Sequence, residues 1–231
     1  MNLVAHDGTL VGTMNQQGQI TAVVSREIES PGIFQNAKKA FLRYLDPQVK
    51  ELPDEVKARI LGAFGDKSLR LNQHSIYAVK RYNGKQTLFF ESVDKEESGI
   101  TNINNGKLDE NRFFVATAMS FKFARVANGT PEETYNRAKV AVWEDAVQNG
   151  ELLNSTIFLR IDSKHVLRLT GEVFVTAPDD REATIHFTSP ILLPARTALE
   201  LEVRGPDAPS SLVSDTDFLR VAFYGMFTDA N

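Results

Sequence analysis

The spacing of apolar positions divides the chain into a helix-bearing stretch and a long succession of strands. After Ser30-Pro31, a serine cap followed by proline at the first helical position, Phe34, Ala37, Phe41, Tyr44 and Leu45 recur at helical intervals. Lys39 and Arg43 fall on the opposite face, Lys38 borders the apolar one, and Pro47 ends the helix. A second helix opens near Pro53, aligns Val56, Ile60 and Phe64, and stops at Gly65. Ahead of both, the chain to about Val24 is polar and punctuated by glycine. Its short β-like runs at Thr9–Thr13 and Ile20–Val24 fit an extended arm or a small edge sheet.

From Ser68 the period shortens to that of strands. Leu69, Leu71 and Ile76–Lys80 lead to Asn83-Gly84, and Thr87–Val93 follows; that dipeptide predicts a hairpin because both residues tolerate positive φ. A polar loop spans Asp94–Gly106. Arg112–Val126 then reads as a long strand with Phe113, Val115, Phe121 and Phe123 on a partly alternating register. Thr130-Pro-Glu-Glu133 is a capping box, which predicts a helix running to about Val147, although Lys139–Trp143 has the composition of a strand as well. Strands are expected at Thr156–Ile161, Val166–Thr176, Thr184–Phe187, Ala198–Arg204 and Phe218–Phe227, with turns at Pro178–Asp180 and Gly205–Pro209. Short strands separated by turns favour a sandwich or jelly roll over βαβ units.

Composition narrows the classes of function. The 231 residues carry a net charge of −4, split into +1 over residues 1–105 and −5 over 106–231, so the chain is not a strongly basic nucleic-acid binder. The absence of cysteine excludes disulfides, thiolate catalysis and cysteine-ligated metals, and is compatible with a reducing compartment. The N-terminal residues lack a basic leader, and the run Phe113–Met119 is far short of the ~18–20 residues that span a bilayer, so neither a signal peptide nor a membrane helix is expected. Fifteen phenylalanines against one tryptophan and five tyrosines predict a core filled by rings without polar atoms.

Candidate chemistry is sparse. There is no Gly-x-Ser-x-Gly, P-loop or Gly-x-Gly-x-x-Gly, and no two of His6, His74, His165 and His186 stand at a metal-chelating interval. Asp179-Asp180 and Asp215-Thr-Asp217 lack EF-hand spacing. Lys38, Lys39 and Arg43, with Lys50, Lys57 and Arg59 beyond, form a basic helix face suited to subunit or headgroup contact, although Asp46, Glu51, Asp54 and Glu55 interleave with it. A solvated helix face is the simpler reading of these residues.

Two stretches carry a resemblance. Gly99-Ile-Thr-Asn-Ile-Asn-Asn-Gly-Lys-Leu-Asp-Glu-Asn-Arg-Phe-Phe-Val115 looks like the loop feeding a first long strand, and Asn149-Gly-Glu-Leu-Leu153 leads into Thr156–Ile161. With the closing strands Leu199–Arg204 and Phe218–Gly225, residues 99–231 resemble the jelly-roll capsid proteins of tailless, often membrane-containing icosahedral bacteriophages. The resemblance implies a self-assembling virion structural protein, assembled in the host cytoplasm, without catalytic residues, metal or cofactor. Its partners would be other copies in a trimer or larger assembly and other virion proteins, with membrane or genome contact left open. The family often carries two jelly rolls per chain, and 231 residues with helices leave little room for two.

The sequence therefore predicts a mainly β protein in two parts. Residues 1–98 would hold an arm, two helices and a β-hairpin; residues 99–231 would be a jelly-roll β-sandwich, with a compact double jelly roll as the variant. Two other functions compete with the capsid subunit. A carbohydrate-binding module would use Trp143, Tyr82 and Tyr135, and a cupin-like metal enzyme would use His74, His165 or His186.

Overall fold

The computed structural model describes residues 2–4, 10–14, 20–23, 33–82, 84–110, 112–145, 152, 154–171, 184–206 and 216–230. The protein is mainly β. Three short strands, β1 (Asn2–Val4), β2 (Leu10–Met14) and β3 (Ile20–Val23), form a small antiparallel sheet, as the two early β-like runs predict. Helices α1 (Ile33–Tyr44) and α2 (Asp54–Gly65) follow. The strands β4 (Leu69–Arg81), β5 (Gln86–Phe89) and β6 (Phe114–Arg125) lead to helix α3 (Pro131–Lys139) and the two-residue β7 (Glu144–Asp145). The chain closes with β8 (Thr156–Ile161), β9 (Lys164–Thr170), β10 (Thr184–Leu193), β11 (Leu199–Arg204) and β12 (Asp217–Ala230).

Eight of these strands make two antiparallel four-stranded sheets, ordered β10-β6-β12-β4 and β5-β11-β8-β9, with β7 added to β6. The pairing is nested: β8 pairs with β9, β6 with β10, β5 with β11 and β4 with β12. The facing sides of the sheets enclose one core, in which Phe89 meets Phe121 edge-on at 6.4 Å, Phe90 lies 6.0 Å from Phe223, and Phe114 lies 6.1 Å from Phe227. The phenylalanine-rich core read from composition is thus the filling of a sandwich. The sandwich begins at Leu69, because β4 and β5 belong to its two sheets. The expected division between residues 98 and 99 therefore cuts through the sandwich instead of bounding it.

Helices α1 and α2 cover the outer face of the first sheet. Ala37, Phe41 and Leu45 of α1 and Ile60, Leu61 and Phe64 of α2 are buried there with Phe113 and Val115, and Phe41 meets Phe64 edge-on at 6.2 Å. Ser30-Pro31 lies outside the described residues. Gly65 is the last helical residue, and the left-handed position comes two residues later at Lys67, φ 65°. Among the described residues no helix is long and apolar enough to cross a membrane.

Strand β6 is buried continuously from Phe114 to Phe121 because both its faces are covered, one by the second sheet and one by the helices. Its partly alternating phenylalanines have a geometric cause. Tyr224 lies opposite Ala118 and Gly225 opposite Ala116, so Thr117 is an extra residue that flips the side-chain parity. Phe113 and Val115 consequently face the helices, whereas Phe121 and Phe123 face the sandwich core.

Two expectations are corrected. The Gly84 turn does not close a hairpin: β4 pairs with β12, and the chain passes into the other sheet, where β5 pairs with β11. The turn chemistry itself is as read, with Gly84 at φ 74°, but it packs against Gly205, whose N–H donates to the Lys85 carbonyl at 2.5 Å. Helix α3 has the predicted capping box, Thr130 Oγ1 accepting from the Glu133 N–H and the Glu133 carboxylate accepting from the Thr130 N–H. It ends at Lys139, not near Val147, and Lys139–Trp143 is not a strand. Its inward stripe is only Thr134 and Ala138; beyond it Val140 and Val142 point to solvent, so no further turn gains burial.

Candidate functional site

The predicted basic residues do lie on one exposed helix face, since Lys39 and Arg43 stand one turn apart opposite the buried Ala37, Phe41 and Leu45. Lys38 is half-buried at the border. Lys57, expected on the same basic surface, is 1% exposed. Its ammonium donates to the carbonyls of Asp46 (2.9 Å) and Val49 and lies 3.7 Å from the Asp54 carboxylate, so it ties the α1–α2 connection together. Lys50 pairs with Asp54 at 3.3 Å on the surface. Among the described residues neither Lys39 nor Arg43 forms an ion pair.

These two cations face an irregular segment of β10. The strand pairs regularly with β6 from Thr184 to His186 and again from Ile191 to Leu193, but Phe187-Thr-Ser-Pro190 stands against the single residue Thr117. Proline cannot donate to a ladder, which suits it to such a bulge. The Tyr44 hydroxyl donates to the Pro190 carbonyl at 2.9 Å and pins the bulge to α1. Burial, reinforced by the Glu51 carboxylate, pushes the Tyr44 phenol up to about 12, so it stays a protonated donor.

The bulge opens a cleft with two compartments. One, of about 600 Å³, lies between Lys39 and Arg43 on the helix and Thr188 and Ser189 on the strand, with Asn36 and Glu51 on its walls. The other, of about 670 Å³, continues between the edge strands β9 and β10 and is lined by Val166, Leu167, Leu169, Ile185 and Ile191. Tyr44, Glu51, His186 and the bulge itself belong to both. The strand expected at Thr184–Phe187 continues past this bulge to Leu193, and Thr-Ser-Pro directly after an apolar strand run is the signal that marks it.

A second concentration of charge lies on the outer face of the other sheet. Cross-strand register places Leu88, Glu202, Phe158 and Arg168 in one row. Glu202 is 2% exposed and accepts from Arg204 (2.7 Å), Arg160 (2.8 Å) and Gln86 (2.9 Å). Burial alone would raise its pKa, but those three donors outweigh it and hold the carboxyl below its ordinary range. The guanidiniums of Arg204, Arg168 and Arg160 lie 5.0, 5.4 and 6.0 Å from the Phe158 ring centre.

The remaining sequence candidates do not converge. His74 on β4 contacts Asn102 at 3.2 Å and stacks near Phe227, His165 on β9 meets Phe158, and His186 lies on β10. Strands β4 and β10 are opposite edges of one sheet and β9 is in the other. Among the described residues no group of three His, Asp or Glu side chains is placed to hold a metal. His6, Asp179, Asp180 and Asp215 lie outside the described residues. Asp217, part of the second acidic pair, is fully buried and bound to Arg125 at 2.6 and 2.9 Å. Of the three aromatic residues suited to sugar binding, Tyr82 is buried with its hydroxyl 3.4 Å from Ser155 Oγ, and Tyr135 and Trp143 pack half-buried against Val79, Ile100, Ala138 and Phe218.

No protein-family model matches the chain, and no curated protein is significantly similar to it in sequence.

Proposed function

We propose that this chain is a virion structural protein, a self-assembling bacteriophage capsid subunit whose sandwich is a single jelly roll. The observation that carries the reading is the nested pairing of the eight sandwich strands. Counted from β4 and leaving out β7, the first strand pairs with the eighth, the second with the seventh, the third with the sixth and the fourth with the fifth. A four-paired ribbon wrapped into two sheets ordered sixth-third-eighth-first and second-seventh-fourth-fifth supports the jelly-roll reading. The strands span Leu69–Ala230, which accounts for one roll preceded by a helical region.

In this reading the protein works by shape, in the virion, with other copies of itself and other virion proteins as partners. Two surfaces suit lateral contact: the helix face bearing Lys38, Lys39 and Arg43, and the α3 region, where Val140 is 82% and Val142 87% exposed. The free edge of β4 is protected from uncontrolled strand pairing. Asn102 accepts from the Tyr77 N–H at 2.8 Å and donates to the Ser75 carbonyl at 2.6 Å, and Ile100 accepts from the Val79 N–H at 2.7 Å.

Sedimentation velocity of the purified protein over a wide concentration range tests the reading. A trimer or larger closed assembly is expected, and Val142→Asp, at a site open to solvent, should shift it toward monomer without lowering thermal stability. A chain that stays strictly monomeric at high concentration while binding an oligosaccharide tightly would overturn it in favour of a carbohydrate-binding module.

A further inference from the structure

We propose that the cleft between α1 and the β9–β10 edge binds one single-chain amphiphile with a phosphate headgroup, a role that goes beyond assembly. The two compartments differ in chemistry and are contiguous. On the polar side Lys39 and Arg43 line the compartment from the helix, and Thr188 and Ser189 line it from the bulge. Asn36 adds an amide. Donors drawn from a helix and from a strand bulge can reach an anion from more than one side, which suits a tetrahedral group better than a planar one. Lys39 and Arg43 are not spent on acids among the described residues, so their charge is available to a ligand.

Glu51 is the acid on the wall of the polar compartment and sits with Tyr44 and Pro190 at the junction of the two, while Asp162 and Lys164 also line the apolar compartment. The Glu51 charge repels an anion, so the headgroup is held to the Lys39–Arg43 side. The Tyr44 hydroxyl donates a hydrogen bond to the Pro190 carbonyl and ties the helix to the bulge at this junction.

The apolar side is a groove between two sheet edges. Leu167, Leu169, Ile185 and Ile191 are partly buried against the core, and Val166 is 44% exposed at the mouth. A hydrocarbon chain gains from burial against these side chains. The volume of about 670 Å³ falls in the ordinary range of small-molecule sites.

Isothermal titration with dodecyl phosphate, kept below its micelle-forming concentration, tests the proposal on the chain in whatever assembly state it adopts. One molecule per chain is expected. Inorganic phosphate, lacking the alkyl chain, and dodecyl maltoside, lacking the charge, should each bind at least about tenfold more weakly. Lys39→Ala with Arg43→Ala, both on the exposed helix face, should weaken dodecyl phosphate by about tenfold or more. Val166→Asp, which puts a carboxylate at the groove mouth, should do the same, with circular dichroism confirming that both variants remain folded. No binding of dodecyl phosphate, or binding unchanged in both variants, overturns the proposal. Adsorption to phosphatidylglycerol vesicles that Val166→Asp leaves unchanged overturns it as well, because contact with a bilayer surface does not require the groove. Failure here leaves the sedimentation result untouched, so the two readings fall separately.

Discussion

Adding one methyl group at Gly225 should unfasten the centre of the sandwich. Gly225 sits on β12 at the point where β6 carries its extra residue, and β6 and β12 are the two inner strands of their sheet. A Cβ built there would lie 1.8 Å from the Val115 carbonyl oxygen, 2.7 Å from its carbon and 3.0 Å from the Ala116 Cα. All three atoms are backbone, so no rotamer change relieves the overlap. The strands must part locally by more than an ångström, which breaks about two ladder hydrogen bonds at ~1 kcal/mol net each. Loosened packing of the tightly filled core beside them adds about 1 kcal/mol more. Gly225→Ala should therefore cost about 3 kcal/mol, read as a fall of roughly 6–12 °C in Tm for a chain of this size. Gly62→Ala is the matched control. It lies inside α2 with nothing within 4 Å of a new Cβ, and the same change should stabilise by about 0.5–1 kcal/mol by lowering the entropy of the unfolded chain. Thermal and urea unfolding of both variants decide the matter; a Gly225→Ala protein within 1 kcal/mol of the parent refutes the role given to the bulge.

Three further outcomes follow from single groups. Thr87 Oγ1 is buried without a hydrogen-bond partner among the described residues, so Thr87→Val, of nearly the same shape, should raise stability by about 1 kcal/mol in urea titration, and a destabilised variant would refute this reasoning. Thr130→Ala removes half of the capping box and should cost about 1 kcal/mol, with amide exchange accelerated in the first turn of α3 and unchanged in α1. The depressed pKa of Glu202 means that its contribution is complete above the ordinary glutamate value of 4.5 and is lost as pH falls through the lowered folded value. Chemical denaturation across that acid range should show a decline that Glu202→Gln flattens, while lowering stability near neutral pH because Arg160 and Arg204 lose their counter-charge.

The sequence patterns reported local chemistry faithfully and partnership poorly. The capping box at Thr130 and the short-period runs of β6, β8, β11 and β12 appear where local spacing places them, because capping and alternation are settled within a few residues. Gly84 likewise takes the positive φ that its turn signal requires. That signal cannot say which strand lies alongside: Gly84 turns the chain out of one sheet and into the other, and the partner of β5 is found in residues 201–204. Phe113, Val115, Phe121 and Phe123 show the same limit. One unpaired threonine changes their parity, and that threonine looks like any other until β12 is laid beside it. The cleft is not legible along the chain because its parts come from α1, β9 and β10, and only Thr188-Ser-Pro190 leaves a local trace.

The two outer faces of the sandwich are finished in opposite ways, and this bears on how the molecule can meet others. The outer face of the β10-β6-β12-β4 sheet is covered by α1 and α2 around Phe113 and Val115 and by α3 around Val79 and Phe218, with Ser120, Lys122 and Arg220 among its other outward positions. The β5-β11-β8-β9 sheet needs no cover, since its outward positions alternate to Gln86, Glu200, Arg160 and Arg204, and its one embedded acid, Glu202, is neutralised from two strands. A charged, self-satisfied face of this kind resists close apposition, because bringing a partner against it would desolvate ion pairs that already have their counter-charges. The surfaces left for contact are thus the helix side, the exposed valines beyond α3 and the sandwich edges. At β4 a loop has already taken the edge, through Asn102 and Ile100. At β9 and β10 the edges diverge into the cleft instead of pairing. Under the proposed assembly, contact through side chains on helices and loops has room at the two surfaces singled out by α1 and by Val140 and Val142.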